Sequence, residues 1–204
     1  MVFSRAVALA ALVSLLCGPV SAADFANPEW PCLQRKVDSL SLGLMWTGPV
    51  PEGEIRPEIR ERADQLVETL VLRRVSLEEA ESLIDSFVAT TPDLSAEDLG
   101  QVFRGVFERI NADRSRLIKG IARYSLKQID VAARVDATRV EMDRLMAMPE
   151  PDFDKIDALE EQLDWDQRIF RDRAQSLTYV CETPVLLEKR AFAIANALAQ
   201  HLPD

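Results

Sequence analysis

Between Ser95 and Met148 the chain runs without a single proline, and residues of one stripe recur at alternating intervals of four and three. The stripe is Phe103, Phe107, Ile110, Arg114, Leu117, Ile121, Tyr124, Gln128, Val131, Val135, Thr138, Met142 and Leu145. A 3.5-residue period held this long specifies a coiled-coil seam rather than an ordinary amphipathic helix. Pro149, Pro151 and Asp152 break the run. The same spacing then resumes with Ile156, Leu159, Leu163, Asp166, Phe170, Arg173, Leu177, Val180, Pro184, Leu187, Ala191, Ile194 and Leu198. So short a turn makes the two helices antiparallel neighbours, and the expected fold is all-α, built on a long antiparallel coiled-coil helical hairpin over 95–202. Folded about that turn, Tyr124 faces Leu177, Ile110 faces Ala191 and Phe103 faces Leu198. The same register sets Gln128 opposite Arg173, a candidate polar pair that would fix alignment at some cost in stability. The alternative is a bent bundle in which the preceding helices share the seam.

Two shorter helices precede the hairpin. Pro57 suits the first turn of a helix running to about Arg74, with Ile59, Ala63, Leu66 and Leu70 on one face. Ser76 and Glu79 form a capping box for a second helix that ends near Ala89, and Ser95 with Asp98 opens the third. Residues 24–56 hold Trp30-Pro31-Cys32, Trp46, Gly48-Pro49 and Pro51 without helical periodicity, and read as an irregular N-terminal arm. The helical domain is 57–204. Glycine is scarce after Gly53, where only Gly100, Gly105 and Gly120 remain, as a mostly helical chain requires.

The first 23 residues read as an export signal. Arg5 supplies the positive charge, Ala6 to Cys17 the apolar run, and Val20-Ser21-Ala22 a small-residue cleavage site, so cleavage is expected near Ala22 and Ala23. That run is shorter than the roughly 20 residues a spanning helix needs, and Leu15-Leu16 before Cys17 do not suit a lipid anchor. The mature chain is therefore expected in the periplasm or outside the cell, with no membrane insertion. Cys32 and Cys181 are its two remaining cysteines, and an oxidising compartment makes a disulfide their expected state.

A formal net charge of −10 argues against nucleic acid as a partner. The one histidine, His201, stands four residues from the end, and no G-x-S-x-G, P-loop, G-x-G-x-x-G or H-E-x-x-H pattern occurs. No catalytic residue, metal site or cofactor is expected. Glu150, Asp152, Asp154, Asp157, Glu160, Glu161, Asp164 and Asp166 crowd the start of the fourth helix around one Lys155. The first of these suit a helix N-terminus, but the later ones exceed what the macrodipole asks for. They form a candidate partner-binding surface. In outline the hairpin resembles periplasmic coiled-coil chaperones and the hairpins of envelope adaptor proteins; it has neither the adaptors' β-barrel and lipoyl modules nor the chaperones' basic charge, and no family is assigned. The expected function is that of a non-enzymatic exported binding or scaffolding protein with a protein partner, self-association being a second mode. The rival is a redox-active or carboxylate-based hydrolytic factor.

Overall fold

The computed structural model describes residues 27–203, so the expectations for the export signal fall outside it. An N-terminal arm with one 3-10 turn at Leu42–Leu44 leads into four helices: α1 (Pro57–Leu70), α2 (Leu77–Ala89), α3 (Ala96–Met146) and α4 (Phe153–Ala199). The chain is all-helical, with no strand among the described residues.

The helix boundaries follow from local chemistry. Ser95 and Asp98 make a reciprocal capping box: the Asp98 amide donates to Ser95 Oγ at 3.1 Å, and the Ser95 amide to Asp98 Oδ2 at 2.9 Å. Asp98 is also buried against Arg56, whose Nε lies 2.9 Å from Oδ1. Burial pushes that carboxyl up, but the hydrogen bonds from Arg56 and Ser95 outweigh it and leave it below the ordinary range. Ser76 opens α2 by accepting from the Glu79 amide at 3.1 Å. Asp152 opens α4 by accepting from the Lys155 amide at 3.2 Å.

α1 stops at Leu70 rather than continuing to Arg74. The reason lies far away in sequence, in the buried Arg190 of α4. Its guanidinium donates to the carbonyls of Leu70 and Val75, both at 2.7 Å, and so takes up acceptors that the end of α1 leaves free. No carboxylate faces it, and burial lowers its pKa.

Around the base, α1 packs on α3 and α2 on α4, enclosing Leu70, Ile84, Leu99, Phe103, Ile194 and Leu198. Trp46 of the arm stacks on Phe103 with ring centroids 5.3 Å apart. The arm runs antiparallel to α3. An extended chain without a sheet must find partners for its polar backbone, and α3 supplies them. Asn111 Oδ1 accepts from the Leu40 amide at 3.0 Å, Arg114 Nη1 donates to the Val37 carbonyl, Ser115 Oγ to that of Asp38, and Ser125 Oγ to that of Pro28. At the far end of the arm Pro49 and Pro51 rest on Gly100, where an added Cβ would lie 3.2 Å from Pro51 Cβ and 3.3 Å from the Pro49 oxygen.

The arm is crosslinked as its cysteine count requires: Cys32 and Cys181 are joined, with their Cα atoms 5.5 Å apart. The bond is buried with Trp30, Ile118 and Ile121 in a second, smaller core. It draws the seam sideways by one position. Ile118, Ser125 and Cys181 are buried, where the period alone puts Leu117, Tyr124 and Val180, because the arm covers only that flank of the hairpin. Elsewhere on α3 the seam holds, with Phe103, Phe107, Ile110, Arg114, Ile121, Gln128, Val131, Val135, Thr138, Met142 and Leu145 all buried.

Two stability outcomes are expected. Closing a loop of 149 residues restricts the unfolded chain, so Cys181→Ser should lower stability by roughly 2–5 kcal/mol in denaturant melts while far-UV helicity persists. Gly120→Ala meets open space and should stabilise by about 0.5–1 kcal/mol through helix propensity. The same change at Gly100 should bring no gain, because the arm sits against it.

Candidate functional site

The hairpin tip is set by its prolines. α3 ends with Ala147 and Met148 donating to the carbonyls of Asp143 and Leu145, and Pro149 and Pro151 keep the next residues out of helix until Asp152 caps α4. Seven of the eight carboxylates stand at or near the surface. Asp152 is partly covered, and its hydrogen bonds from the Lys155 side chain and amide hold its carboxyl below the ordinary range. Glu150, Asp154, Asp157, Glu160, Glu161 and Asp164 are exposed.

Asp166 is the exception. It occupies the seam, buried, with Oδ1 3.2 Å from Arg134 Nη2 and Oδ2 without a hydrogen-bond partner. It cannot meet an outside partner, and it leaves the acidic surface. Its position on the four-three stripe already places it inside.

Apolar side chains stand among the carboxylates. Phe153 is 67% exposed and Met146 51%, and Met148 is also exposed. Each sits where the two-helix hairpin has no third element to bury it. Val140 and Trp165 lie further from the turn and are likewise exposed. The tip thus carries exposed carboxylates and exposed apolar side chains together.

Gln128 and Arg173, the candidate register pair, are held by different partners. Gln128 is buried and its Nε2 donates to the Phe170 carbonyl at 3.0 Å, while the Arg173 guanidinium lies over the Tyr124 ring, 5.9 Å from its centroid. Each engages a residue about one turn from the other. Nearby, a groove of about 820 Å³ opens between α3 and α4 beyond the end of α1, with Leu72, Leu117, Tyr124, Leu177 and Val180 in its walls. A second, of about 530 Å³, adjoins the crosslink on the arm side.

His201 pairs with Asp85, Nε2 to Oδ1 at 2.9 Å, at the base of the molecule. Among the described residues no group of three or more metal-binding side chains comes together, and no helix is long and apolar enough to cross a membrane. Sequence reasoning missed the buried role of Arg190, and its one signal was a cation beside the seam residue Ala191. No protein-family model matches this chain, and no curated protein or solved structure does either.

The two kinds of acidic residue should separate on mutation. Asp166→Leu replaces a half-satisfied buried charge at a seam position and lets the largely exposed Arg134 return to water, so it should raise stability by about 1–2 kcal/mol. A lower melting temperature would instead make the Arg134–Asp166 pair a net stabiliser of the hairpin.

Proposed function

We propose that this chain is a non-enzymatic, exported binding or scaffolding protein of the cell envelope, which engages a cationic protein partner through the hairpin tip. The observation that carries the reading is the exposure of Met146, Met148 and Phe153 at the same end of the hairpin as the exposed carboxylates, far from the core. Clustered charge steers an oppositely charged partner and sets orientation. Apolar groups beside the charges supply the desolvated contact that charge alone does not. Self-repulsion among carboxylates is relieved when a cationic surface covers them. Export is supported by the signal-like first 23 residues and by the pairing of the remaining cysteines.

The rival chemistry has less support. A hydrolytic carboxylate pair needs one acid held protonated by burial or by a neighbouring charge, whereas the tip carboxylates face water and Asp152 is shifted downward. A redox-active pair needs an accessible sulfur, whereas Cys32 and Cys181 are both buried.

The test uses the mature chain and a synthetic amphipathic lysine–leucine helical peptide as the cationic probe, with affinity followed by fluorescence anisotropy at several salt concentrations. Reversing Glu160, Glu161 and Asp164 to lysine should weaken binding at least about tenfold and flatten its salt dependence. Phe153→Ser should weaken it with the salt dependence unchanged. Reversing Glu61, Asp64 and Glu68 on the outer face of α1 should do neither. If the α1 set lowers affinity as much as the tip set, binding is general electrostatics and the docking role is lost.

A further inference from the structure

α3 carries a second apolar line that neither the seam nor the tip uses. Leu126, Ile129, Ala133, Ala137 and Val140 recur at intervals of three and four residues. At 100° per residue they fall in one narrow band, on the side of the helix opposite the seam residues Gln128, Val131, Val135 and Thr138. Leu126, Ile129 and Val140 are 42%, 47% and 69% exposed, and both alanines are exposed as well. α4 lies on the seam side. Among the described residues the arm's hydrogen bonds to α3 run from Ser125 toward the base, and Pro31 to Gln34 share a groove with Ile129 at the edge of the band. Isolated apolar residues on a surface are ordinary. Five in helical register on a charged helix form a face.

The band has the same pattern in both directions. Ile129 and Leu126 precede Ala133 by four and seven residues, and Ala137 and Val140 follow it by four and seven. That symmetry is what a two-fold antiparallel contact demands, because one patch must then complement itself. The charges beside the band obey the same symmetry. Under a two-fold axis at Ala133, each flank of α3 meets the same flank of the second copy in reverse order. Arg123 and Lys127 then approach the second copy's Glu141, and Asp130 approaches its Arg134. Those pairs are of opposite sign; Arg134 also approaches its own counterpart across the axis, where each is countered by Asp166 of its own chain. Arg144 holds the Glu141 carboxyl below the ordinary range, so it stays ionised.

We propose that the mature chain forms an antiparallel homodimer in which the outer band of α3 packs against that of a second copy, centred on Ala133. The band is about 21 Å long by helical rise. One helix face of that length is a small interface, so the dimer is weak, with a dissociation constant on the order of 10–100 µM. The inference does not rest on the tip reading: Glu160, Glu161 and Asp164 belong to α4 and lie outside the contact.

Sedimentation equilibrium of the mature chain, from about 1 to 500 µM to bracket that constant, should show a mass rising from one chain toward two. Leu126→Glu should weaken the association at least about tenfold with unchanged circular dichroism, and Glu141→Lys should weaken it in a way that Arg123→Glu with Lys127→Glu restores. A short bismaleimide, inert toward the oxidised native cysteines, should join two copies carrying Ala133→Cys. It should join Leu126→Cys to Val140→Cys in a mixture, and leave Leu126→Cys alone unlinked. The tip reversals should leave all of this unchanged while weakening peptide binding. A single-chain mass throughout the range, a dimer that survives Leu126→Glu, or self-linking of Leu126→Cys as efficient as that of Ala133→Cys would each overturn the proposal.

Discussion

α3 and α4, 51 and 47 residues long, lie along a single seam, and almost every other contact in the molecule is made on one of their flanks. Neither helix has another element of comparable length to pack against. α1 and α2 cover one side of the seam near the base, and the arm covers the other. Among the described residues the arm's last hydrogen bond to α3 is at Ser125 and its last shared groove wall is at Ala132, and beyond that the outer hairpin is held by two helices. There the seam turns more polar, with Gln128, Thr138 and Asp166 buried in it, and large apolar side chains appear on its surface. The proposed tip and dimer surfaces both belong to this uncovered half. The base supplies the fold, and the outer hairpin supplies the surface.

Two buried arginines join the covers to the hairpin. Arg114 reaches the arm through the Val37 carbonyl and lies 3.6 Å from Glu188 on the next helix, while Arg190 gathers the carbonyls at the end of α1. Each leaves one nitrogen without a partner, Nε of Arg114 and Nη2 of Arg190, and burial lowers both pKa values. Such groups are weak contributors to net stability, yet removing their partners would strand a charge in a dry site. Their value is positional: a guanidinium with fixed donor directions accepts one placement of the arm and one placement of the α1–α2 corner.

Much of this was legible from residue order, and the parts that were not share a cause. The seam, the turn at Pro149 to Asp152, the caps at Ser76 and Ser95, and the pairing of Cys32 with Cys181 rest on local spacing or on a count of two. The course of the arm has no period to reveal it, because it is fixed by side chains of α3 up to 97 positions away, such as Ser125 on Pro28. The early end of α1 has its cause in Arg190, across the whole hairpin. The drift of the seam onto Ile118, Ser125 and Cys181 is one residue wide, and only the one-sided cover explains it. At the tip, the spacing that put Asp166 on the seam already set it apart from the other acids, whereas composition grouped it with them. The outer band of α3 was present in the sequence but lay beneath a stronger signal, and it separates from the seam only once the helix has been given its faces.

The crosslink also imposes an order of assembly. Cys32 stands near the start of the described chain and its partner 149 residues later, so any process that delivers the polypeptide from the N-terminus presents the first thiol long before the second. An extended chain of that length spans about 500 Å. Through that interval Cys32 waits without its partner. The bond can close only when α4 has arrived as far as Cys181, by which time the hairpin turn and the outer half of the seam are already available. Oxidation would then record completed folding rather than direct it, and a chain truncated before Cys181 would leave Cys32 without its partner.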